Sequence, residues 1–577
     1  MITTTLALGM LASGPAHAGI PLDTPISDAV ALDITPGGFR TVARIAESFI
    51  PNRIDVDDLS EYECASEFLG VCLVSYEYEV RDVWVGIQVD DLTLRPSPGN
   101  RLELDGLITI NVNTAGDPLY LYVQGEPLGI PISSTCDAWV TPFQVSLSAD
   151  VAVNLVNDPI RGRTLDFTVG TPTWGWTLDE NDVQLSGCGL DDINDVLSFF
   201  GYDLIEILID QIEPEVDALV LSLPAQLEPT LNDFLPGLEY VDTIDLLGVP
   251  MDIQLVPDDL VIDGDGLRIE IAGRVDAPQH ECIAGFGITE MEDTPSTAPA
   301  VGQAAPGVSL TPDVMGVIDD DFVNQVLFAA WNGGVLCYEL GPDTDLGVPI
   351  PTNALLDLVA PEDDTFEIFE DSEVSVSVLP GAPPRVAPTG ANDVNIALDD
   401  LGLGFYAELD GRKVRALNVD LDVGLGTDLN FDGQTGILGV DIDLNGATFD
   451  ATVTQNEYAP DASAAIEAEV PTVIDTFIPL VNGLLTDIEF AIPSFEGLGV
   501  DAIQAAATGS ANDRFGIYAT VGPVTYTDAG CNDKKGGSCT DSSSCSGGCS
   551  TGTLNGRAVF LVLFPMMTAV MRRRRSE

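Results

Sequence analysis

Hydrophobic and polar residues alternate along much of the chain, which is typical of β-strands with one buried face. The clearest run covers residues 143–155, and two more cover residues 76–80 and 417–425. Long strands with one apolar and one polar face are common in antiparallel sheets. The sequence therefore predicts a protein built mainly of long antiparallel strands.

Four segments have helical spacing instead. Residues 39–50 place hydrophobic side chains at i, i+3, i+4 and i+7, as an amphipathic helix does. Residues 191–234 are apolar over a broad arc and contain three prolines, which predicts a long helix with kinks. Residues 322–331 form a short helix between an acidic start and two glycines, and residues 473–485 form its partner. Each half thus combines a short helix, curved strands and a long apolar helix.

Two further segments connect these parts. Residues 252–275 predict strands joined by a hairpin at Asp263-Gly264-Asp265-Gly266, a strong turn signal. Residues 294–312 are rich in Pro, Ala, Gly and Thr, and we expect a loose loop there.

One acidic loop has the opening spacing of a calcium site, with Asp428, Asn430 and Asp432. Its twelfth position is Gly439, where an EF-hand places a bidentate Glu. The flanking segments are strands, so a hairpin turn is the preferred interpretation. No metal or cofactor is expected.

Charge and missing motifs exclude several function classes. The net charge of −70 comes from 92 acidic and 22 basic residues, and such a field repels nucleic acids. The chain has only two histidines, His17 and His280, and no nucleophile elbow, zinc-protease motif, phosphate loop or dinucleotide fingerprint. We therefore expect a protein that is not an enzyme and does not bind nucleic acid.

Both ends carry targeting patterns. Residues 1–18 run apolar and close on Ala16-His17-Ala18, which predicts a cleaved signal peptide. Near the other end, a Gly/Ser/Cys-rich stretch precedes an apolar segment and four arginines. This order resembles the myxosortase-type sorting tails of exported bacterial proteins, which implies processing near Cys549 and retention at the cell surface or outer membrane. A plain C-terminal membrane anchor is the alternative, and both place the body outside the cytoplasm.

Ten cysteines, an even number in a chain expected to be exported, indicate disulfides rather than metal ligands. Cys64 and Cys72 are close enough to pair locally. The other expected pairs are Cys136 with Cys188 and Cys282 with Cys337, each within one half of the chain.

The order of elements over residues 36–525 resembles the family of bactericidal/permeability-increasing and lipopolysaccharide-binding proteins, in which two barrels wrap helices and shelter a lipid. The matching places are Gly38-Phe39, Cys136 with Cys188, and residues 196–236, 251–277, 322–340, 386–390 and 477–498. The resemblance implies a phospholipid or similar amphiphile as ligand. Between Gly19 and Val249 the chain has scattered Arg and no Lys. A cationic tip for endotoxin phosphates is therefore not expected.

From the helical stripes and the resemblance together we expect a set of lipid-binding residues: Phe39, Val42, Ala43, Ala46, Phe49, Leu204, Leu208, Ile212, Phe322, Val326 and Ile478. The same stripes would also be apolar if each helix only filled a core. The second hypothesis is therefore an acidic surface adhesin or structural module with filled barrels and no ligand.

The predicted fold class is α+β, with two tandem curved antiparallel β-barrels joined by a central sheet in a boomerang. Each barrel wraps a short and a long apolar helix. The expected division is a signal peptide (1–18), an N-terminal lipid-binding barrel (19–236), a central sheet connection (237–277), a C-terminal lipid-binding barrel (278–525) and a linker with an apolar sorting or anchor tail (526–577).

Overall fold

The fold was obtained as a computed structural model. It describes residues 20–523 with internal gaps, of which the longest are 188–208, 341–373 and 471–488, and only single residues or short runs between 209 and 232. The described residues are mostly β-sheet with a few helices, so the α+β class is confirmed. Three large sheets and one short pair, β1 (Ile20–Pro21) with β16 (Glu290–Met291), account for the strands of this part of the chain.

The N-terminal sheet has ten antiparallel strands. Its spine is β9 (Ile132–Asp158), which contains the long alternating run predicted from the sequence. The other strands are β3 (Arg53–Asp55), β4 (Leu59–Phe68), β5 (Val71–Arg81), β6 (Trp84–Ser97), β7 (Arg101–Val112), β8 (Leu119–Pro127), β10 (Gly162–Val169), β11 (Thr173–Gly175) and β12 (Val183–Ser186).

The central sheet combines strands from distant parts of the chain in the order β13-β14-β15-β2-β17-β26-β25. Asp263 pairs with Gly266 between β14 and β15, which confirms the predicted hairpin. The strands are β2 (Ile26–Ile34), β13 (Tyr240–Leu246), β14 (Val249–Asp263), β15 (Gly266–Asp276), β17 (Val314–Asp319), β25 (Leu498–Thr508) and β26 (Arg514–Pro523).

The C-terminal sheet has seven strands around β22. Asp428, Asn430 and Asp432 all lie in β22, and Asp432 at its end pairs with Ile437 at the start of β23, so this segment is one arm of a hairpin, the interpretation preferred over a calcium loop. The strands are β18 (Tyr338–Leu340), β19 (Val374–Pro380), β20 (Arg385–Pro388), β21 (Asp393–Leu409), β22 (Arg412–Asp432), β23 (Ile437–Gln455) and β24 (Glu489–Ala491).

The described helices match two of the predicted segments. Helix α1 (Pro36–Phe49) begins after Thr35, whose Oγ1 accepts hydrogen bonds from the N–H groups of Gly37 and Gly38. Helix α2 (Asp320–Asn332) begins after Asp319 and ends at Gly333. The scattered described residues from 209 to 232 are helical, as are residues 463–470 after a short 3₁₀ turn (Pro460–Ala462). No described helix is both long enough and apolar enough to span a membrane.

The predicted barrels are not closed by strand pairing in the described residues. The N-terminal sheet has edges at β3 and β4, and the C-terminal sheet has edges at β18 and β24. A closed barrel requires its edge strands to hydrogen-bond to each other. The described sheets are open, and only their long strands and apolar faces agree with the prediction.

The predicted loose loop is instead a strap (residues 296–312) fixed to the central sheet. Arg268 donates to the carbonyl of Pro299, and Gly302 N–H donates to Asp33. The amide of Ala305 donates to the buried Tyr518 hydroxyl. The segment is a loop without helix or strand, as predicted, but it is not loose, because partners far away in sequence hydrogen-bond to its backbone.

Candidate functional site

Rows of apolar side chains cross the N-terminal sheet on one face. Residues that pair directly between strands share a face. One such row joins Ile87, Ile110 and Phe143, and another joins Leu94, Leu104 and Ala149. All six side chains are buried in one continuous core. We call this apolar side the inner face of the sheet.

Helix α1 covers part of this core and packs against β6. Phe39, Val42 and Ala43, three predicted lipid-binding residues, are 3%, 9% and 2% exposed. Gly38 permits the close approach of the helix to Asp313, the residue before β17, since a Cβ there would collide with the carbonyl oxygen of Asp313. These three residues lie together as predicted, and their burial is due to other protein atoms. Contact with a ligand stays a prediction.

Hydrogen bonds fix the helical residues between 209 and 232 to the same sheet. The indole N–H groups of Trp174 and Trp176 donate to Asp217 Oδ1 at 2.7 and 3.4 Å. Asn232 accepts from the amide of Phe167 and donates to its carbonyl, at 2.8 and 3.1 Å. Asn232 thus bonds both the backbone N–H and the backbone carbonyl of Phe167, as a residue of a neighbouring strand would do. Asp217 and Asn232 are thereby held against this sheet.

Helix α2 packs against the central sheet. Phe322 is 3% exposed and lies over Gly273, where an added Cβ would be 2.5 Å from the ring. Gln325 is fully buried and accepts the Val275 amide at 3.0 Å. Val326, also a predicted ligand contact, is half-buried against the same core. Phe322 and Val326 therefore both contact the protein core.

The C-terminal sheet differs in how completely its inner face is buried. The apolar residues of its central strand β22 are inside: Leu417, Val419, Leu421 and Val423 are at most 8% exposed. Phe405, which pairs with Leu417, is buried as well. Six other apolar partners on the flanking strands, together with Leu425 of β22 itself, share the face but are only half-buried. We call these the half-buried patch: Leu398, Leu401, Leu403, Leu425, Phe449, Ala451 and Val453.

Helical residues 463–470 contact this sheet near the end of β23. Ile466 and Val470 are buried in its cluster, and Glu467 accepts a hydrogen bond from the Val453 amide at 2.8 Å. The opposite face is acidic and exposed, with Asp399, Asp400, Asp422 and Asp450.

Several predicted residues lie outside the described part of the structure. These are Leu204, Leu208, Ile212, Ile478, Cys188 and Cys549. The backbones of Ala46 and Phe49 belong to α1 and that of Cys72 to β5, but their side chains are outside the description. Their predicted roles stay predictions.

The disulfide pattern is described in part. Cys282 and Cys337 are bonded, with their Cα atoms 6.7 Å apart, which is the predicted pair. Cys64 and Cys136 also take part in disulfides. Their predicted partners, Cys72 and Cys188, lie outside the described side chains, so those two pairings stay predictions.

Two buried ion pairs hold the central sheet. Arg268 makes two hydrogen bonds of 2.7 Å to Asp33. Burial opposes the charge on Arg268, yet these bonds raise its pKa above the ordinary value. Arg514 lies 2.6 Å from Asp319, the residue that caps α2. Burial raises the pKa of Asp319 to about 6, against the opposing effect of Arg514.

Sequence reasoning found helices α1 and α2, and it missed both the helical residues 463–470 and the half-buried patch. The alternation in residues 417–425 pointed to β22, but the partner residues depend on the register of β21 and β23. Asp217 and Asn232 were also missed, since each bonds a residue more than 40 positions away. For the half-buried patch, the available signal was the alternation of hydrophobic and polar residues in 396–409 and 447–453.

No protein-family profile matches the sequence, and no curated protein matches it. Solved structures do match the fold. A crystal structure of lipopolysaccharide binding protein is 14% identical, with 86% of this chain and 100% of that chain covered and a TM-score of 0.47.

Two structures of P47, from Clostridium botulinum E1 and A2, are each 9% identical. They cover 87% and 85% of this chain, and 100% and 97% of their own chains, with TM-scores of 0.30 and 0.28. At TM-scores below 0.5, these likenesses establish neither the family nor the ligand of this chain.

Proposed function

We propose that this protein binds a phospholipid or similar amphiphile outside the cytoplasm, with the acyl part against the inner faces of its sheets. The observation that carries this proposal is the half-buried patch of the C-terminal sheet. A filled core buries its apolar side chains nearly completely. Here residues 417–423 of the central strand bury their apolar side chains, while seven apolar residues on the same face, six of them on the flanking strands, keep contact with solvent.

The patch has suitable dimensions for an acyl chain. Three adjacent strands span about 10 Å, and residues 398–403 span roughly 17 Å along the strand. Each buried CH₂ group contributes about 0.8 kcal/mol. Ten such groups contribute about 8 kcal/mol before the costs of association are subtracted. An apolar chain alone therefore supplies useful affinity.

The charge distribution favours a ligand whose head group is not strongly anionic. The outer face of the C-terminal sheet is acidic, and the whole chain carries a net charge of −70. Such a field repels anionic head groups and anionic membranes. We accordingly propose carriage or transfer of a zwitterionic or neutral amphiphile, without catalysis. Curved sheets that wrap their helices, export through residues 1–18 and tethering through residues 526–577 belong to the same proposal.

Paired tryptophan variants on β23 test this function. Ala451 is half-buried on the inner face, and its neighbour Thr452 is exposed on the opposite face. Ala451→Trp should reduce uptake of a fluorescent phosphatidylcholine several-fold with little change in melting temperature, because the indole occupies the ligand space. Thr452→Trp is the matched control and should bind like wild type.

The second candidate function is a structural module with filled cores, which the close burial of Phe39, Ala43 and Phe322 favours. In that case Ala451→Trp overpacks a core, which costs about 1–3 kcal/mol and lowers the melting temperature. Wild-type protein would then take up no phosphatidylcholine. A folded Ala451→Trp protein with undiminished uptake would exclude the patch as the binding surface.

A further inference from the structure

An imidazole and a disulfide meet at the C-terminal end of α2. The Nδ1 atom of His280 lies 2.8 Å from the Sγ atom of Cys282, which is bonded to Cys337. His280 is exposed and both cysteines are half-buried, whereas Cys136 is only 3% exposed. A small thiol can therefore reach this disulfide more easily than the one that contains Cys136.

The position of His280 is fixed by the end of the helix. Its backbone N–H donates to the carbonyl of Asn332 at 2.8 Å. Its ring lies against Gly334, which has φ +79°, and a Cβ there would be 2.6 Å from the ring. Glycine both adopts this φ readily and leaves space for the ring. The Cys282 N–H donates to Nδ1 at 3.3 Å, so this nitrogen faces the backbone and sulfur of Cys282.

We propose that the Cys282–Cys337 disulfide is a thiol-exchange site for a small dithiol, with His280 as the partner of the leaving Cys282 thiolate. A thiolate beside a protonated imidazole is stabilised, and a stabilised thiolate leaves faster in exchange. This activity is stoichiometric and independent of the lipid proposal.

The exchange has two steps. A thiolate of the dithiol attacks Cys337 Sγ, a mixed disulfide forms, and the electron pair of the broken bond goes to Cys282 Sγ. For this step Nδ1 of His280 must carry a proton and release the hydrogen bond from the Cys282 amide; it then gives that proton to the sulfur and regains one from water. The second thiolate of the dithiol displaces Cys337 Sγ, which also takes a proton from water. The dithiol loses two electrons and becomes a cyclic disulfide, and the protein disulfide becomes two thiols.

Reduction changes how one surface turn is held. The disulfide ties the turn at residues 281–286 to the chain that follows α2. Phe286 in this turn is 39% exposed, and its ring centroid is 6.3 Å from that of the fully buried Trp331. Reduction therefore removes the covalent tie between this turn and the chain after α2.

The full chain tests the proposal directly. The protein is treated with limiting dithiothreitol at several pH values, quenched with iodoacetamide and mapped by peptide mass spectrometry. We expect Cys282 and Cys337 to be alkylated before Cys136. His280→Asn, which keeps an acceptor for the Cys282 amide, should slow reduction about tenfold near neutral pH and flatten its pH profile. Gln279→Ala, at an exposed neighbouring position, should leave both unchanged.

Two results would overturn the proposal. One is alkylation of Cys136 in wild-type protein as early as Cys282, a comparison that needs no variant. The other is a folded His280→Asn protein with the wild-type rate and pH profile.

Discussion

Replacing Asp33 by alanine tests the interpretation of the strap as a fixed part of the central sheet. The side chains of Asp33 and Arg268 are 0% and 6% exposed. The carboxylate accepts two hydrogen bonds from Arg268 and a third from the Gly302 amide in the strap. Without it, the guanidinium keeps its bond to the Pro299 carbonyl but loses its counter-charge. Breaking a buried pair in this way costs about 3–5 kcal/mol.

The assay is urea unfolding of wild type, Asp33→Ala, Arg268→Met and the double variant Asp33→Leu with Arg268→Met. Each single variant should lower the free energy of unfolding by about 3 kcal/mol or more, and the double variant should recover most of this loss because no charge is left unpaired. Limited proteolysis should cut the strap earlier in Asp33→Ala. The reasoning is refuted if either single variant costs less than about 1 kcal/mol, or if the double variant loses the sum of both.

Three further variants test other parts of the fold. Burial raises the pKa of Asp319 from 3.8 to about 6. The folded state then binds this proton more tightly than the unfolded chain, so this group's contribution to stability should decline as the pH rises from about 4 to 6. The free energy of unfolding of Asp319→Asn should not show this pH-dependent decline. Asp217→Ala leaves the Trp174 indole without its 2.7 Å acceptor and should lower the melting temperature; an unchanged melting temperature would contradict a stabilising role for this hydrogen bond. Gly273→Ala places a Cβ against Phe322 and should cost about 1–3 kcal/mol in urea unfolding, whereas Gly316→Ala, with open space around it, should cost much less.

Local patterns predicted the elements well. The alternation of residues 143–155 identified part of β9, and the helical spacing after Thr35 identified α1 to within a few residues. The sequence Asp263-Gly264-Asp265-Gly266 predicted its hairpin because a tight turn depends on the residues within it. The acidic start of α2 at Asp319 was predictable because a helix cap also depends on residues close in sequence.

Features that depend on distant partners were not predictable in this way. Residues 296–312 have the composition of a loose loop, yet Arg268, Tyr518 and Asp33 bond their backbone. The central sheet places β2 between β15 and β17, which composition and periodicity do not specify. Barrel closure was expected from the resemblance, whereas the described sheets are open.

The candidate site was predicted only in part. The helical stripe containing Phe39, Val42 and Ala43 does face the core, as its spacing indicates. The half-buried patch was missed because burial of Leu401 or Phe449 depends on what covers the sheet. The hydrophobic periodicity of a single strand predicts which side chains face inward, but not how completely they are covered. The contact between His280 and Cys282 was missed although they are two residues apart, because the turn that joins them is set by the end of α2.

The most direct test of the central claim is native mass spectrometry of the full chain purified without detergent and then incubated with phosphatidylcholine vesicles. The account predicts a protein peak with the added mass of one or more phospholipids, diminished in Ala451→Trp and retained in Thr452→Trp. A wild-type spectrum with only the mass of the polypeptide, together with no lipid in an organic extract of the same sample, would contradict lipid binding.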